Sequence, residues 1–412
     1  MQDHPEQGLR KVPKKFNPTP FAYHQEIEVE IDTLTNLGDG LGRVDGWVVM
    51  IPFALPGEKV LARVWHNAAN FSRADLLRVL RPSPDRIEPR CPLFGECGGC
   101  QYQNLAYTAQ LEWKTSTIAD LLRRLGGIEA PVNPCHGSPR EFHYRSKITP
   151  HFQFPRSDNF PIGFLAVNQR QKIIDIPACP IATEAINAAL PAIRDDARRH
   201  RARYKRGATL LLREAAEGVI TNPKQTVTER VGPLALQFLA GDFFQNNPFI
   251  LPEFVDYAIR QAHQPPCRFL VDTYCGSGLF ALSAARIFEQ VLGIEVNADA
   301  VKKAAENARR NSIANCRFVA GSAEEIFAKV TTPAAETAVL IDPPRRGCDT
   351  VFLDQLLAYA PRRIVYVSCG PDTQARDLKP LLAAGYQIAD VQPFDLFPQT
   401  RHIENIVTLA RE

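Results

Sequence analysis

At 412 residues, with 45% hydrophobic side chains, the chain is too long for a single core and apolar enough to fill two or three. A formal net charge of +3 neither demands nor excludes a polyanionic partner, so the clustering of basic residues has to decide that question. No stretch is apolar for long enough to cross a bilayer, the start "MQDHPEQGLRKVPKKFNPTP" is not signal-like, and ten cysteines are too sparse for a disulfide scaffold, so a cytoplasmic protein with reduced thiols and no membrane partner is expected.

In chain order, residues 1–24 read as a disordered basic tail. From Glu26 to Arg81 apolar and polar residues alternate, as in "EIEVEI" and "GWVVMIP", with turn glycines in "NLGDGLGR" and "LPGE". Short strands at that spacing predict a small antiparallel β-barrel over residues 25–83, an architecture that commonly holds RNA. "RPSPDRIEPR" then reads as a linker. Residues 84–232 predict a mixed, irregular α+β domain: a cysteine cluster, a helical stretch "LEWKTSTIADLLRRL" that is free to pack elsewhere, and strand-like runs around "FHYRSKITPHFQF" and "QKIIDIPACPI". From residue 233 to 412, strands such as "RFLVDTYCG", "QVLGIEV", "AVLIDPP" and "RIVYVSCG" alternate with helical stretches such as "LFALSAARIF" and "NADAVKKAAENARRN". That alternation predicts a doubly wound parallel sheet, which binds ligands at the carboxyl ends of its strands, with "YQIADVQPF" and "NIVTLA" forming an antiparallel edge hairpin.

Three of the cysteines, Cys91, Cys97 and Cys100, follow C-x5-C-x2-C in "CPLFGECGGC". Three thiolates call for a fourth ligand, whether for an iron–sulfur cubane or a tetrahedral zinc. Cys179 in "PACPI" and Cys135 in "NPCHG" both qualify; the following proline matches the context of Cys91 and favours Cys179, but spacing leaves both open.

In the carboxyl-terminal part, Gly276, Gly278 and Ala281 fit G-x-G-x-x-A at the start of a helix, and Glu295 ends the next strand about twenty residues on, where a carboxylate accepts both ribose hydroxyls of an adenosine-type ligand. NAD and S-adenosylmethionine fit this pattern equally well. Asp342, at the end of "AVLIDPP", is followed by two prolines that keep the backbone out of a helix, and this polar strand end favours methyl transfer over hydride chemistry. Cys369 ends the strand in "YVSCGPDT" and Glu404 opens the last one in "TRHIENIV", so three reactive groups converge on one rim of the sheet. Alone, a strand-end cysteine reads as a small core hydrophobe. Beside a nucleotide site, and at the amino end of the helix "PDTQARDL", it reads as a nucleophile whose thiol pKa is expected to be lowered.

The motifs "CPLFGECGGCQYQ", "ACPI", "GDFFQNNP", "DTYCGSGLF", "IDPPRRG", "YVSCGPDTQARDL" and "FPQTRHIE" occur in the order seen in the RNA 5-methyluridine methyltransferases, and the chain resembles that family over nearly its whole length. The resemblance implies a class I (Rossmann-like) methyltransferase domain, an amino-terminal TRAM barrel and a central iron–sulfur domain. It makes Cys369 the nucleophile and Glu404 the general base. It places Gln245, Tyr274, Glu295 and Asp342 on S-adenosylmethionine, and gives Cys91, Cys97, Cys100 and Cys179 a [4Fe-4S] cluster. TRAM plus cluster resembles the large-subunit rRNA branch, whereas "YCGSGLF", with Leu279 where asparagine is frequent, resembles the fungal tRNA enzymes; the substrate is rRNA or tRNA. Ser146 in "YRSK" also stands where asparagine is more usual.

RNA as partner assigns the basic residues: Arg194–Lys205, Arg145, Lys147 and the barrel are expected to meet phosphates. A monomer is expected. Two other readings are a methyltransferase acting on a base nitrogen, for which Cys369 is incidental, and a cluster-bearing RNA-binding protein without activity.

Overall fold

The computed structural model describes residues 13, 15–321 and 326–411. About half of the expected tail, residues 1–12 and 14, lies outside them. The chain forms two compact units, residues 1–89 with 100–106, and residues 90–99 with 107–412.

The first unit is a closed barrel of β1 (Glu26–Leu34), β2 (Asp39–Val44), β3 (Trp47–Pro52), β4 (Lys59–Asn67) and β5 (Phe71–Arg81), in the order β1-β2-β3-β5-β4. Alternation sorts β1: Ile27, Val29 and Ile31 enter the core, while Glu26, Glu28 and Glu30 face outward. The outward acids pair with Lys59 and Arg63 of β4 and with Arg81 at the end of β5, so these three basic residues are matched by acids. Closure needs Gly42, where a Cβ would collide with the Glu30 carbonyl.

Two segments differ from expectation. Phe21, assigned to the tail, is buried in the barrel core, and Asn67 Nδ2 donates to the carbonyls of Asn17 and Phe21 at 2.7 Å. The core of so small a barrel is completed by an aromatic from outside its strands. The stretch read as a linker is pinned as well: buried Glu58 accepts from Arg86 Nε at 2.5 Å and from the backbone amide of Ser83 at 3.2 Å.

In the second unit, residues 90–99 and 107–232 of the segment expected as a central domain form one compact body with the carboxyl-terminal sheet. Helix α1 (Tyr107–Leu121) packs on the large sheet. Ile118 and Leu122 join the cluster holding Ile364, Tyr366 and Leu378, and buried Lys114 makes a 2.6 Å ion pair with Asp395. Helix α2 (Glu184–Arg199) covers short strands, among them Lys147–Ile148 paired with Leu212–Ala215 and His151–Phe152 paired with Ala208–Thr209.

The large sheet contains β6 (Phe269–Thr273), β7 (Gln290–Glu295), β8 (Cys316–Ala320), β9 (Thr337–Ile341), β10 (Arg363–Ser368), β11 (Gln387–Phe394) and β12 (Glu404–Ala410). Their order is β8-β7-β6-β9-β10-β12-β11, with β12 antiparallel to both of its neighbours. The last two strands do form the expected hairpin, and β12 lies inside it, between β10 and β11. Helices α3 (Leu251–Ala262) and α4 (Leu279–Ala284) pack on one face, and α6 (Thr350–Tyr359) and α7 (Pro371–Ala383) on the other. Strands covered on both faces read as continuous apolar runs, which is why β9 and β10 were legible. Helix α5 (Ala298–Arg310) follows β7. Among the described residues no helix is long and apolar enough to cross a membrane.

Candidate active site

Register brings the reactive groups together. In the antiparallel pair of β10 and β12, Ser368 lies opposite Asn405, so one residue further along Cys369 comes beside Glu404. In the parallel pair of β9 and β10, Ile341 lies opposite Tyr366, and Asp342 leaves the sheet at the same rim. Gln374 of α7 fastens the two strand ends. Its Nε2 donates to the carbonyls of Tyr366 (2.9 Å) and Asn405 (3.3 Å), and its Oε1 accepts from Asn405 Nδ2 (2.8 Å).

The loop after Asp342 is held from α7 too. Buried Asp377 accepts from the Cys348 amide and the Tyr366 hydroxyl, both at 2.7 Å. Gly347 (φ +78°) lies against that carboxylate, where a Cβ would collide with it. Thr373 Oγ1 donates to the Arg345 carbonyl at 3.0 Å.

The electrostatics reverse one expectation. Burial, followed by the Glu404 and Asp342 carboxylates, pushes the Cys369 thiol up to about 12, although Arg345 pulls the other way through charge and a hydrogen bond. The amino end of α7 was expected to lower this pKa, but desolvation and two nearby carboxylates outweigh it. Burial and Asp342 likewise raise Glu404 well above the usual carboxylate range, and burial raises Asp342 to about 7. His402, lowered to about 4 by burial and Arg345, is neutral near pH 7, and Arg345 Nη2 donates to its Nδ1 at 3.4 Å. Arg345 therefore acts on the thiol, the general-base candidate and His402 together. Sequence reasoning passed over it, although its place directly after the two prolines of "IDPPRRG" was the available signal.

The nucleotide half is built around Gly276 (φ +52°) and Gly278 (φ +95°), and Tyr274 shares the left-handed backbone at φ +65°, which a bulky side chain adopts at a cost of about 1–3 kcal/mol. The Tyr274 ring packs on Phe352 with centroids 5.3 Å apart. Glu295 braces this turn, accepting from the amides of Gly276 (3.2 Å) and Asn297 (2.9 Å). Asp272, at the end of β6, accepts from the Ala281 amide at 2.9 Å with one carboxylate oxygen, while its other oxygen is buried without a hydrogen-bond partner among the described residues. Gln245 Oε1 and Asn246 Oδ1 are in the same state. Adjacent Phe244 packs in the core cluster containing Phe280 and Ala281 of α4. Unpartnered buried oxygens are rare in folded proteins, and these three are open to a polar ligand. Asp272 and Asn246 were not among the expected contacts. Helix α4 stops at Ala284, shorter than "LFALSAARIF" suggested.

Three of the cysteines act on one another. Cys97 is pushed up by burial and by Cys179 and Cys91, and Cys179 by burial and by Cys91. Cys135 lies elsewhere, pushed up to about 12 by burial and by Asp395. Cys100 belongs to the first compact unit. Among the described residues no three or more His, Cys, Asp or Glu side chains converge as the ligands of a single metal ion would.

Several basic residues expected to meet phosphate are engaged internally. Arg194 is buried and pairs with Asp175 at 2.5 Å, and Arg198 pairs with the same carboxylate at 3.2 Å. Lys147 Nζ donates to the carbonyls of Gly241 and Asp242 at 3.1 Å, its pKa lowered to about 8 by burial and by Arg213. Arg145 donates to the Lys147 carbonyl and sits over the Phe397 ring. Buried Ser146 donates from both its amide and its hydroxyl to the Asn246 carbonyl.

Residues 226–412 match the family described as tRNA (uracil-5-)-methyltransferase, and residues 24–77 match the TRAM domain. A Schizosaccharomyces pombe protein named tRNA (uracil(54)-C(5))-methyltransferase is 44% identical over 95% of this chain and 79% of its own. A Saccharomyces cerevisiae protein of the same name is 35% identical over 96% of this chain and 75% of its own. Among solved structures, the Pyrococcus abyssi tRNA (uracil-54, C5)-methyltransferase bound to S-adenosyl-L-homocysteine superposes with a TM-score of 0.72, at 24% identity, over 93% of this chain and all of that one.

Proposed function

The chain is a member of the tRNA (uracil-5-)-methyltransferase family, S-adenosylmethionine-dependent enzymes of RNA uracil, and on that premise we propose that it methylates carbon 5 of a tRNA uridine through a covalent adduct on Cys369. The observation that carries this reading is the meeting of Cys369, Glu404 and Asp342 at one strand-end rim beside the glycine turn. Both fungal relatives are named for uracil 54 of tRNA, which favours tRNA over rRNA and position 54 as the target.

Glu295, Gln245, Tyr274 and Asp342 fit the cofactor: a carboxylate at the end of β7, a buried amide oxygen without a partner, a ring beside the glycine turn, and a carboxylate at the reacting rim. Bound there, S-adenosylmethionine supplies an electrophilic methyl group on a cationic sulfur.

The protein's own groups do the rest. Carbon 5 of uracil is a weak nucleophile until Cys369 Sγ adds to carbon 6 and pushes electrons toward carbon 5. The thiol proton has a carboxylate acceptor at hand in Asp342, which titrates at about 7 and leaves Glu404 free for the later proton removal. Once carbon 5 carries the methyl group it still holds a hydrogen, which Glu404 removes as a proton; the carbon–sulfur bond then breaks and the electron pair returns to Cys369. The uridine has to leave its stack to reach this rim, at a cost of a few kcal/mol.

Incubation with a tRNA transcript and labelled cofactor should yield 5-methyluridine on nucleoside mass spectrometry, and a transcript with cytidine at position 54 should stay unlabelled. Methyl found on a ring nitrogen would favour the base-nitrogen reading instead.

We also infer that Cys91, Cys97 and Cys179 hold a [4Fe-4S] cluster, so that residues 25–83, 84–232 and 233–412 carry RNA binding, the cluster and methyl transfer respectively. The mutual influence of Cys91, Cys97 and Cys179 supports it, as does the separate environment of Cys135. A cubane presents a different iron to each thiolate, so its ligands stand farther apart than those of a single ion. Anaerobically prepared protein should contain iron and acid-labile sulfide in equal amounts. Cys179→Ser should lose both and Cys135→Ser neither; zinc in their place would overturn the assignment.

A further inference from the structure

The basic run Arg194–Gly207 divides in two. Its first part is neutralised: Arg194 and Arg198 pair with Asp175, Arg199 and His200 with Asp196, and Arg201 with Asp158. Beyond that point the acids stop. Arg203, Lys205 and Arg206 are exposed, and none has a carboxylate within ion-pair reach among the described residues.

These three cations lie on one segment, Arg203–Thr209, which with His151 and Phe152 lines a cleft of about 720 Å³. Its base is rigid. Tyr204 packs edge-on against Phe152, with centroids 4.9 Å apart, and Phe152 packs on Phe160 at 4.7 Å. The strand His151–Phe152 pairs with Ala208–Thr209, and Gly207 lets the two approach, since a Cβ there would collide with the Phe152 carbonyl. Three like charges on a four-residue span make a concentrated positive patch that attracts a polyanion.

We propose that the Arg203–Lys205–Arg206 cleft is a backbone-phosphate site for the RNA substrate, lined by none of the residues of the methyl-transfer rim. It rests on the reading that the substrate is RNA. An RNA strand fits better than an acidic protein: its phosphates recur at regular short spacing, and contact with them is sequence-independent, as expected where cations and a hydrophobic floor are present without a dedicated set of base-reading amides. The rest of the run and Lys147 are spent on internal contacts, which leaves this segment as the part of the basic run available to phosphate.

The test is binding of a labelled tRNA transcript to the full chain across a series of potassium chloride concentrations. Each phosphate contact contributes roughly 0.7 to 0.9 to the slope of log affinity against log salt, so the Arg203→Ala/Lys205→Ala/Arg206→Ala variant should bind with a slope shallower by about 2. Its melting temperature should match the wild type. Arg199→Ala/Arg201→Ala, which removes cations already matched by acids, should shift the slope by less than about 1. An unchanged slope in the triple variant overturns the proposal, and so does displacement of tRNA by polyglutamate as effective as by unlabelled tRNA. A wild type that methylates no RNA overturns the substrate reading instead, whereas a wild type that methylates tRNA while the triple variant keeps its slope overturns the cleft alone.

Discussion

Cys369→Ala is expected to lose methyl transfer to tRNA by at least about 10³-fold in kcat/KM, because the uncatalysed attack of carbon 5 has no other source of electron density at the rim. The measurement is transfer of labelled methyl to a transcript, paired with calorimetric binding of the cofactor. Binding should persist, since the Glu295–Gly276 contact and the buried Gln245 belong to other elements. Cys369→Ser should fail as well, because a hydroxyl ionises far less readily than a thiol. RNA containing 5-fluorouridine gives a complementary readout: fluorine at carbon 5 cannot leave as a proton does, so wild type should accumulate a denaturation-resistant protein–RNA complex and the alanine variant none. A Cys369→Ala enzyme that methylates at a tenth of the wild-type rate or better would remove the nucleophile from Cys369.

Glu404→Gln should stop the reaction one step later. Addition to carbon 6 and methylation of carbon 5 do not need a base there, whereas elimination does; the variant should lose about 10²–10⁴-fold in turnover and build up the covalent complex on ordinary uridine. The two variants thus fail in opposite ways on a denaturing gel: Cys369→Ala forms no complex because addition never occurs, and Glu404→Gln forms an excess because elimination is blocked. The pH profile follows from the same rim. The thiol, pushed up to about 12, holds its proton at neutral pH in the free enzyme and acts after losing it. Because kcat/KM reports the free enzyme, it should climb with pH and approach tenfold per unit above about pH 7. A fall between about pH 7 and 9 would contradict the raised thiol.

What was legible in the sequence was the part with local signals. Strands buried on both faces, such as Thr337–Ile341 and Arg363–Ser368, announce themselves as apolar runs, and the polar residues that follow them land on the rim because the sheet is parallel there. The distant pairings were not legible. Lys114 looks like a solvent-facing helix residue until Asp395, 281 positions away, takes its charge inside. The basic run looked uniformly free because Asp175 and Asp158, which neutralise part of it, come from preceding segments. The thiol was misjudged for a similar reason: the helix amino end is adjacent in sequence, whereas the carboxylates that oppose it arrive on two other strands. Proximity along the chain favours the first effect and proximity in space decides for the second.

The raised thiol has a consequence apart from turnover. Peroxide and small electrophiles react with thiolate, and at neutral pH a group titrating near 12 offers only a vanishing fraction of it. Between encounters with RNA, Cys369 is therefore chemically quiet. On the proposed mechanism, the burial and carboxylates that line the rim also mask the nucleophile, so peroxide should inactivate the idle enzyme slowly at neutral pH.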